Sequence, residues 1–386
     1  MRNVAFLSTY PSRECGIATF TQDLVRELDK IKRLNQPKVI AVSDDNYTYS
    51  DRVIMELRQH DRQSYVSTAQ AINHSDIDLL MIEHEYGIYG GESGEYILDL
   101  ADNLEIPFIT TLHTVLPNPT AKQKEILEHL GKKSTQVVTM AENTKPILQS
   151  VYNIDASKIK VIHHGVPSRA FESQDVLKAK HGLAGKSVVS TFGLLSPGKG
   201  LEYGIEAIAK VAKKHLDIVY LILGQTHPCV KKESGEAYRE KLMNMVETLG
   251  IKDHVRFVDK YLTKDEIIYY LQLSDIYMTP YLGKDQAVSG TLAYAVGYGK
   301  AIVSTPYSYA KEMLAGGRGL LAEFCDADSL AKAIAYILEN PKAKKEMEAR
   351  TLKVGRTMMW ENIAKQYADL FFNTFANINL ADSMVI

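Results

Sequence analysis

SVVSTFGLLSPGKGLEYGIEAIAK, residues 187–210, gives the clearest indication of how the second half of the chain folds. A buried-strand pattern over Ser187–Thr191 runs into the glycine-bearing loop Gly193–Gly200, and the helical segment Leu201–Lys213 follows. Such a loop leaves free backbone N–H groups at the positive end of a helix dipole, where an anion is favoured. Lys199 adds a positive charge at the same place. The pattern predicts either a phosphate site or an ordinary strand-to-helix turn with an exposed lysine.

The same alternation of short apolar runs and helical segments extends along nearly the whole chain. Strands buried on both faces are predicted in the first half at Val4–Thr9, Lys38–Ser43, Ile77–Glu83, Pro107–His113, Gln136–Met140 and Lys160–His163. After Ser187–Thr191, the second half continues with predicted strands at Ile218–Leu223, Arg256–Val258, Ile276–Thr279 and Ala301–Ser304. This order of elements predicts two doubly wound α/β domains, each with a mostly parallel sheet covered by helices on both faces.

Length agrees with two domains, because 386 residues at roughly 150 per domain leave room for two large ones. We expect a first domain over residues 1–168 and a linker with weak periodicity over 169–186. A second domain should span 187–358, and a terminal helical segment 359–386. Because each half opens with a strand, a glycine loop and a helix, a ligand is expected in a cleft between the domains.

Composition excludes several other classes of protein. The net charge is −2 and there is no basic stripe, so a nucleic-acid partner is not expected. The three cysteines are far apart and odd in number, which favours a reducing compartment. The longest apolar runs are too short for a membrane span or a signal peptide. We expect a cytoplasmic protein with no indicated membrane association.

A second anion-ready helix start lies further along the chain. Ser289 is a plausible N-cap, and Gly290 would let a ligand approach the first N–H groups of the helix over Thr291–Gly297. The alternative is a capped core helix. Two such helix starts in one domain suit a diphosphate better than either does alone.

Three further candidates lie at predicted strand ends in the first half. His84 and Glu85 follow one buried strand and His113 ends the next, where the sites of such sheets form. For each histidine a structural role is the alternative. Tyr86 lies in a group with Tyr89 and Tyr96, whose rings would either stack on a ligand or serve in packing.

Several common motifs are absent from the sequence. The histidines lack zinc-site spacing, so no metal is expected. There is no GxSxG elbow, no GxGxxG fingerprint and no Walker loop, which argues against a hydrolase triad, a dinucleotide enzyme and a P-loop enzyme.

Taken together, these residues resemble glycosyltransferase family 4, the group 1 glycosyltransferases of the GT-B fold. The resemblance covers nearly the whole chain. It rests on Tyr10-Pro11 with Gly16, Thr110–His113, Val161–Val166, Gly193–Gly200, Ser274–Pro280, Ala295–Lys300 and Trp360–Ala364. It implies two Rossmann-like domains facing a central cleft, with the C-terminal helix crossing back to the first domain.

The resemblance also implies a function. It is that of a retaining, metal-independent hexosyltransferase that moves a mannosyl or glucosyl group from a nucleotide diphosphate sugar to a carbohydrate or small-molecule hydroxyl. No cofactor is implied, since the nucleotide sugar is a substrate. The second domain would hold the nucleotide, and the first would supply the acceptor groove.

Individual residues take roles from the same resemblance. Lys199 matches the lysine on the diphosphate, Gly16 the glycine loop beside the donor, and His113 the histidine beside the donor sugar. The implied catalytic residues are therefore His113, Lys199 and Gln286. The implied donor-binding residues are Gly16, Gly198, Lys199, Asp285, Ser289, Gly290, Thr291 and Tyr294, and the acceptor-side residues are His84, Glu85 and Tyr86.

Two features depart from the family pattern. Leu194 stands where the family usually has an arginine, and Gln286 and Tyr294 stand where it usually has two glutamates. Gln286 or its neighbour Asp285 can still hydrogen-bond a sugar hydroxyl, but Tyr294 cannot give a ribose diol a bidentate carboxylate contact. Two other readings of the sequence stay open beside the transferase: a retaining glycoside phosphorylase on the same fold, and a sugar- or nucleotide-binding pseudoenzyme.

Overall fold

The computed structural model describes residues 1–383 and divides into two units. The first contains residues 1–165 and the described residues from Met359 onward, and the second contains Val166–Met358. The predicted linker, residues 169–186, lies inside the second unit.

The first unit is built on a parallel sheet. Its strands are β1 (Val4–Ser8), β2 (Lys38–Ser43), β3 (Val53–Arg58), β4 (Leu79–His84), β5 (Phe108–Leu112), β6 (Gln136–Thr139) and β7 (Ile159–Val161). They lie in the order β3-β2-β1-β4-β5-β6-β7. Chain order reverses between β1 and β4, so ligands are expected at the carboxyl ends of these two strands.

Helices connect these strands. They are α1 (Gly16–Leu28), α2 (Arg62–Asn73), α3 (Ile97–Asn103), α4 (Ala121–Lys133) and α5 (Lys145–Ser150). Every residue of β1, β4 and β5 is buried, as expected of strands covered on both faces. The sequence pattern missed β3, whose alternating exposed residues mark the edge of the sheet.

The second unit repeats this plan with a second parallel sheet. Its strands are β8 (Ser187–Phe192), β9 (Ile218–Leu223), β10 (Val255–Val258), β11 (Ile276–Thr279), β12 (Ala301–Ser304) and the short β13 (Leu320–Leu321), which the sequence pattern missed. The order is β10-β9-β8-β11-β12-β13, so chain order reverses between β8 and β11.

The helices of this unit include one inside the predicted linker. They are α6 (Gln174–Lys180), α7 (Leu201–Val211), α8 (Pro228–Ser234), α9 (Ala237–Thr248), α10 (Lys264–Leu273), α11 (Gly290–Gly297), α12 (Ser308–Met313), α13 (Ala327–Glu339) and α14 (Pro341–Gly355). Helix α6 is fixed by Lys178, which pairs with the mostly buried Asp275 at 2.6 Å. Because this short helix is held by an ion pair, its apolar residues show only a weak helical periodicity in the sequence.

The last helix, α15 (Trp360–Ser383), belongs to the first unit and packs against α1. The Phe371 ring lies edge-on to Phe6, with centroids 6.3 Å apart, and the Tyr367 hydroxyl lies 3.3 Å from that of Thr111. Trp360 covers Gly165 so closely that a Cβ there would come within 2.1 Å of the indole. The C-terminal helix thus completes the core of the first unit.

The predicted fold class is confirmed by these two doubly wound parallel sheets. No helix within residues 1–383 has both the length and the apolar character needed to cross a membrane.

Candidate functional site

In the second unit, the loop after β8 is shaped by glycines. Gly193 has φ 130° and Gly200 has φ 58°, both in the region that favours glycine. A Cβ on Gly200 would lie 2.2 Å from the carbonyl oxygen of Pro280, and Leu282 N–H donates to the Gly198 carbonyl at 3.0 Å. These contacts fasten the loop to the segment that follows β11.

Lys199 lies in that loop, on a single turn of 3₁₀ helix. Its Nζ sits 3.9 Å from the ring centroid of Tyr281, a cation–π contact. The Tyr281 hydroxyl is in turn 2.8 Å from Thr291 Oγ1 in the first turn of α11. One buried tyrosine therefore connects the lysine of the first predicted anion site with the helix start of the second.

The start of α11 is capped as the sequence predicts. Ser289 Oγ accepts from the N–H of Leu292 at 3.3 Å and lies 3.2 Å from Thr291 Oγ1. Because β8 and β11 are neighbours in the sheet, both helix starts lie at the same strand ends. The arrangement offers backbone N–H groups, hydroxyls and one ammonium, which suits a multiply charged anion.

The other residues predicted to bind the sugar donor differ in how far they are exposed. Gly198 is exposed with open space where a Cβ would stand, and Asp285 is exposed as well. Gln286 is half-buried and donates to the Val288 carbonyl at 3.0 Å, while Gly290 is the first residue of α11. Tyr294 is buried, and its ring lies 6.2 Å from that of Phe192 at the end of β8.

The sequence analysis missed Tyr281 and His227. Tyr281 reads as an ordinary apolar residue after a strand, and only the fold places it under Lys199. His227 caps α8, and both burial and the charge of Lys199 lower its pKa.

In the first unit, the loop after β1 leads into α1 at Gly16. Cys15 caps this helix: its Sγ accepts from the N–H of Ala18 at 3.3 Å and lies 3.0 Å from Thr9 Oγ1. Apart from its chain neighbours and the backbone of α1, no atom of the described residues lies within 4 Å of the position that a Cβ on Gly16 would take. A third helix start is thus open at the switch point of the first sheet.

His113 follows β5 and is held on three sides. Its Nε2 lies 2.8 Å from Oε2 of Glu83, and its backbone N–H donates to the His84 carbonyl at 3.0 Å. The ring stands edge-on to Phe20 of α1, with centroids 4.9 Å apart. Glu83, which precedes the predicted His84-Glu85 pair, is fully buried, and burial raises its pKa while the His113 contact opposes this.

The three predicted acceptor-side residues differ in exposure. His84 is fully buried, its ring stacks on Tyr89, and neither ring nitrogen has a partner within the described residues. Burial and the neighbouring His113 lower its pKa to about 3. Glu85 is half-buried and accepts from Thr114 at 2.5 Å and from the N–H of Tyr86 at 2.9 Å. Tyr86 is buried, and its hydroxyl donates to the Gln123 carbonyl at 3.3 Å.

Arg13 is a further residue near the end of β1 that the sequence analysis did not single out. Its guanidinium pairs with Asp44 at 3.0 Å and donates to Gln59 Oε1 at 3.0 Å and to the Val42 carbonyl at 3.2 Å. It thereby joins the carboxyl ends of β1, β2 and β3.

Within the described part of the chain, no group of three or more His, Cys, Asp or Glu side chains is arranged to hold a metal ion.

Solved structures with the same arrangement define the class of protein. Sucrose-phosphate synthase from Thermosynechococcus elongatus superposes with a TM-score of 0.78 at 16% identity, covering 98% of this chain and 100% of that one. HepE from Anabaena, in complex with UDP and glucose, gives 0.77 at 16% identity, covering 97% and 100%. The chain is thus an α/β protein of the GT-B fold.

Sequence comparison gives the family. The model described as "Glycosyltransferase Family 4" matches residues 15–169, and that described as "Glycosyl transferases group 1" matches 173–354. A similar curated protein is the D-inositol 3-phosphate glycosyltransferase of Nocardioides sp., 22% identical over 81% of this chain and 70% of that protein. Another is the lipopolysaccharide core biosynthesis mannosyltransferase LpcC of Rhizobium leguminosarum, 24% identical over 47% and 50%. The chain belongs to glycosyltransferase family 4 and is a glycosyltransferase, which confirms the resemblance found in the sequence.

Proposed function

We propose that this glycosyltransferase transfers a hexosyl group, mannosyl or glucosyl, from a nucleoside diphosphate sugar to a hydroxyl of a carbohydrate or small molecule, with retention of the anomeric configuration. The observation that carries the donor class is the link through Tyr281 between Lys199 and the start of α11. Through this link the two chain segments would form one anion site, and a diphosphate has the charge and length to contact both.

Relatives support the same donor class. HepE has been solved with UDP, with UDP and glucose, and with UDP-glucose, and LpcC is named as a mannosyltransferase. These names motivate the choice of UDP- and GDP-sugars as the first donors to test.

In the proposed reaction, the bond between the anomeric carbon and the diphosphate breaks and the acceptor oxygen bonds to the same face of that carbon. The departing diphosphate gains negative charge, which Lys199 and the N–H groups of α11 would stabilise. The leaving phosphate would take the acceptor's proton, so the proposal requires neither a metal ion nor a protein general base. His113 would contact the donor sugar, and Gln286 or Asp285 would hydrogen-bond a sugar hydroxyl.

The acceptor is assigned to the carboxyl ends of the first sheet. There, half-buried Glu85 is the predicted acceptor-side residue that can reach a ligand, because His84 and Tyr86 are buried. We therefore propose that the buried His84 and Tyr86 support the acceptor side by packing below its surface. The three cysteines are unpaired, which supports a reducing compartment and a cytoplasmic location.

A glycoside phosphorylase is the second candidate. It is favoured by Tyr294, which is buried against Phe192 where the family usually holds a carboxylate for a ribose. Inorganic phosphate would then occupy the Lys199 site, and no ribose would need to be held.

The test combines binding with turnover. We would measure thermal shifts with UDP, GDP, ADP and inorganic phosphate, and then the release of nucleoside diphosphate from UDP-glucose and GDP-mannose. A ligand at one hundred times its Kd stabilises the folded protein by about 2.7 kcal/mol, which is readily seen. A selective shift with one nucleotide, lost in Lys199→Ala, supports the transferase. A response to phosphate plus a disaccharide supports the phosphorylase, and nucleotide binding without any turnover supports the pseudoenzyme.

A further inference from the structure

We infer that Glu83 is a positioning residue for His113: its buried carboxylate fixes the imidazole by Nε2 and leaves Nδ1 as the nitrogen offered to a substrate hydroxyl. This inference rests on the proposed function, in which His113 contacts the donor sugar. Glu83 itself would touch no substrate, since none of its side chain is exposed.

The contact between the two side chains is the first support. His113 Nε2 and Glu83 Oε2 are 2.8 Å apart, a distance typical of a charge-assisted hydrogen bond. Glu83 Oε1, in contrast, has no partner within the described residues. The carboxylate therefore has His113 as its one side-chain partner there. A buried carboxylate is costly unless it is paired, so the ionised form depends on a proton on Nε2.

The setting of the ring is the second support. Phe20 of α1 packs edge-on to His113. Because Phe20 also contacts His164 and Trp360, it holds the His113 imidazole, which cannot turn freely. Nδ1 makes no hydrogen bond within the described residues, although about a tenth of the side chain is exposed. Nε2 is thus bonded to the buried Glu83, and Nδ1 is available to a substrate.

Other titratable groups lie around the pair. Burial lowers the pKa of His84 and of His164 and keeps both rings neutral, and a positive charge on His113 would lower both values further. The Tyr89 and Tyr367 hydroxyls feel the charge of Glu83, and Tyr89 donates instead to the Glu83 carbonyl at 2.8 Å. Neither tyrosine donates to the carboxylate in the described structure. A proton held on Nε2 by Glu83 fits these surroundings, because an imidazole with its single proton on Nε2 has a lone pair on Nδ1 that accepts from a sugar hydroxyl.

Histidine-selective ¹⁵N NMR of the full chain tests the tautomer without turnover, with the His113 signals assigned by their loss in His113→Asn. The Nε2–H form is expected in the wild type at pH 7. It should give way to a mixture or to Nδ1–H in Glu83→Leu, and be largely recovered in Glu83→Gln, whose amide oxygen can still accept from Nε2. An unchanged His113 tautomer in folded Glu83→Leu overturns the inference, as does Nδ1–H in the wild type.

Kinetics with an active donor give the second readout. We expect kcat of Glu83→Leu to fall by about 10- to 100-fold, with partial rescue in Glu83→Gln and a nucleotide Kd within about twofold of wild type. Glu92→Gln, an exposed glutamate of the same unit, is the control. Trp360, the single tryptophan of the chain, packs on Phe20 and reports whether each variant is folded. An unchanged kcat in folded Glu83→Leu contradicts the inference. If no donor is turned over, the proposed function fails, and the NMR result alone decides the role of Glu83.

Discussion

The carboxyl ends of the two sheets carry different chemistry. In the second unit the switch-point strands β8 and β11 lead into two helix starts, a lysine and a set of hydroxyls. In the first unit the switch-point strand β4 ends in Glu83 and His84, both fully buried, beside the partly exposed His113 that follows β5. The strand ends of the second sheet present backbone dipoles and a lysine charge. Those of the first sheet present side chains whose protonation depends on burial.

In the proposed function, the two sheet edges would serve two different tasks. Backbone N–H groups present dipoles that do not titrate, and a lysine ammonium adds a positive point charge, so together they suit a phosphate. An imidazole can both donate and accept a hydrogen bond, so the partly exposed His113 suits contact with a neutral sugar hydroxyl. Four predictions test this contrast.

The largest effect is expected for Lys199→Ala. Removing one preorganised positive group from a developing anion typically costs 10²–10³ in kcat, and we expect a fall in that range. The melting temperature should change little, because the lysine is half-exposed and its cation–π contact contributes about 0.5–1 kcal/mol. Steady-state kinetics and thermal melting measure both quantities. Lys214→Ala, at an exposed position of the same unit, is the control, and equal kcat in the two variants would refute the role of Lys199 at the diphosphate.

The next effect is acid destabilisation of the first unit by His84. Its folded pKa is about 3, against about 6.5 for a free histidine, so below pH 6.5 the unfolded chain binds a proton that the folded chain does not. The free energy of unfolding should therefore fall as pH drops, by about 3 kcal/mol from this residue at pH 4. His164, with its pKa lowered to about 4 by burial, acts in the same direction, whereas the raised pKa of Glu83 acts in the opposite one.

Trp360 fluorescence during urea unfolding at pH 7 and pH 4 measures this effect in the first unit. His84→Phe keeps a ring beside Tyr89 but cannot titrate, so its loss of stability between the two pH values should be smaller by about the same 3 kcal/mol. Parallel pH profiles for the variant and the wild type would show that His84 is protonated in the folded protein.

A smaller effect is expected for Gly200→Ala. The left-handed backbone alone costs about 1 kcal/mol for alanine, and the new Cβ would also press on the Pro280 carbonyl, 2.2 Å away. We expect a total of about 2 kcal/mol in the free energy of unfolding and weaker nucleotide binding, since the loop must move. Gly182→Ala is the matched control, because its φ is 63° and its Cβ would meet nothing within 4 Å. Equal destabilisation by the two substitutions would show that the fit of Gly200 to Pro280 is unimportant.

The smallest effect is expected for Tyr281→Phe. This change removes the 2.8 Å hydrogen bond to Thr291 and keeps the ring under Lys199, so binding of a nucleoside diphosphate should weaken by about 1 kcal/mol or less. Tyr281→Leu removes the ring as well and should weaken binding further. Calorimetric titration with the active nucleotide measures both, and a larger loss for phenylalanine than for leucine would contradict the proposed link.

Much of the fold was predictable because its strands are buried on both faces. The runs Lys38–Ser43, Ile218–Leu223 and Ile276–Thr279 were predicted with the bounds that the structure shows, since short apolar runs of strand length between polar turns are typical of covered strands. Edge elements were missed for the converse reason. Strand β3 alternates exposed and buried residues, and helix α6 depends on the pairing of Lys178 with Asp275, which lies far along the chain.

The candidate site was predictable where it depends on local sequence. Gly200, Ser289 and Gly290 set the backbone of a loop or a helix start, and neighbouring residues suffice to recognise such signals. Glu83 and Tyr281 could not be recognised in this way. In the sequence, Glu83 looks like part of a strand and Tyr281 like the continuation of one. The role of Glu83 depends on His113, 30 residues away, and that of Tyr281 depends on Lys199.

The sequence by itself determined the two doubly wound domains, the family and the two helix starts, because hydrophobic period, glycine position and capping residues act over a few neighbours. Only the tertiary structure decided which side chains meet at the strand ends. It decided that Glu83 holds His113, that Tyr281 joins Lys199 to α11, and that His84 is sealed inside. Burial and pairing arise from parallel strands that are distant in sequence, and they alone set the protonation and orientation on which this chemistry depends.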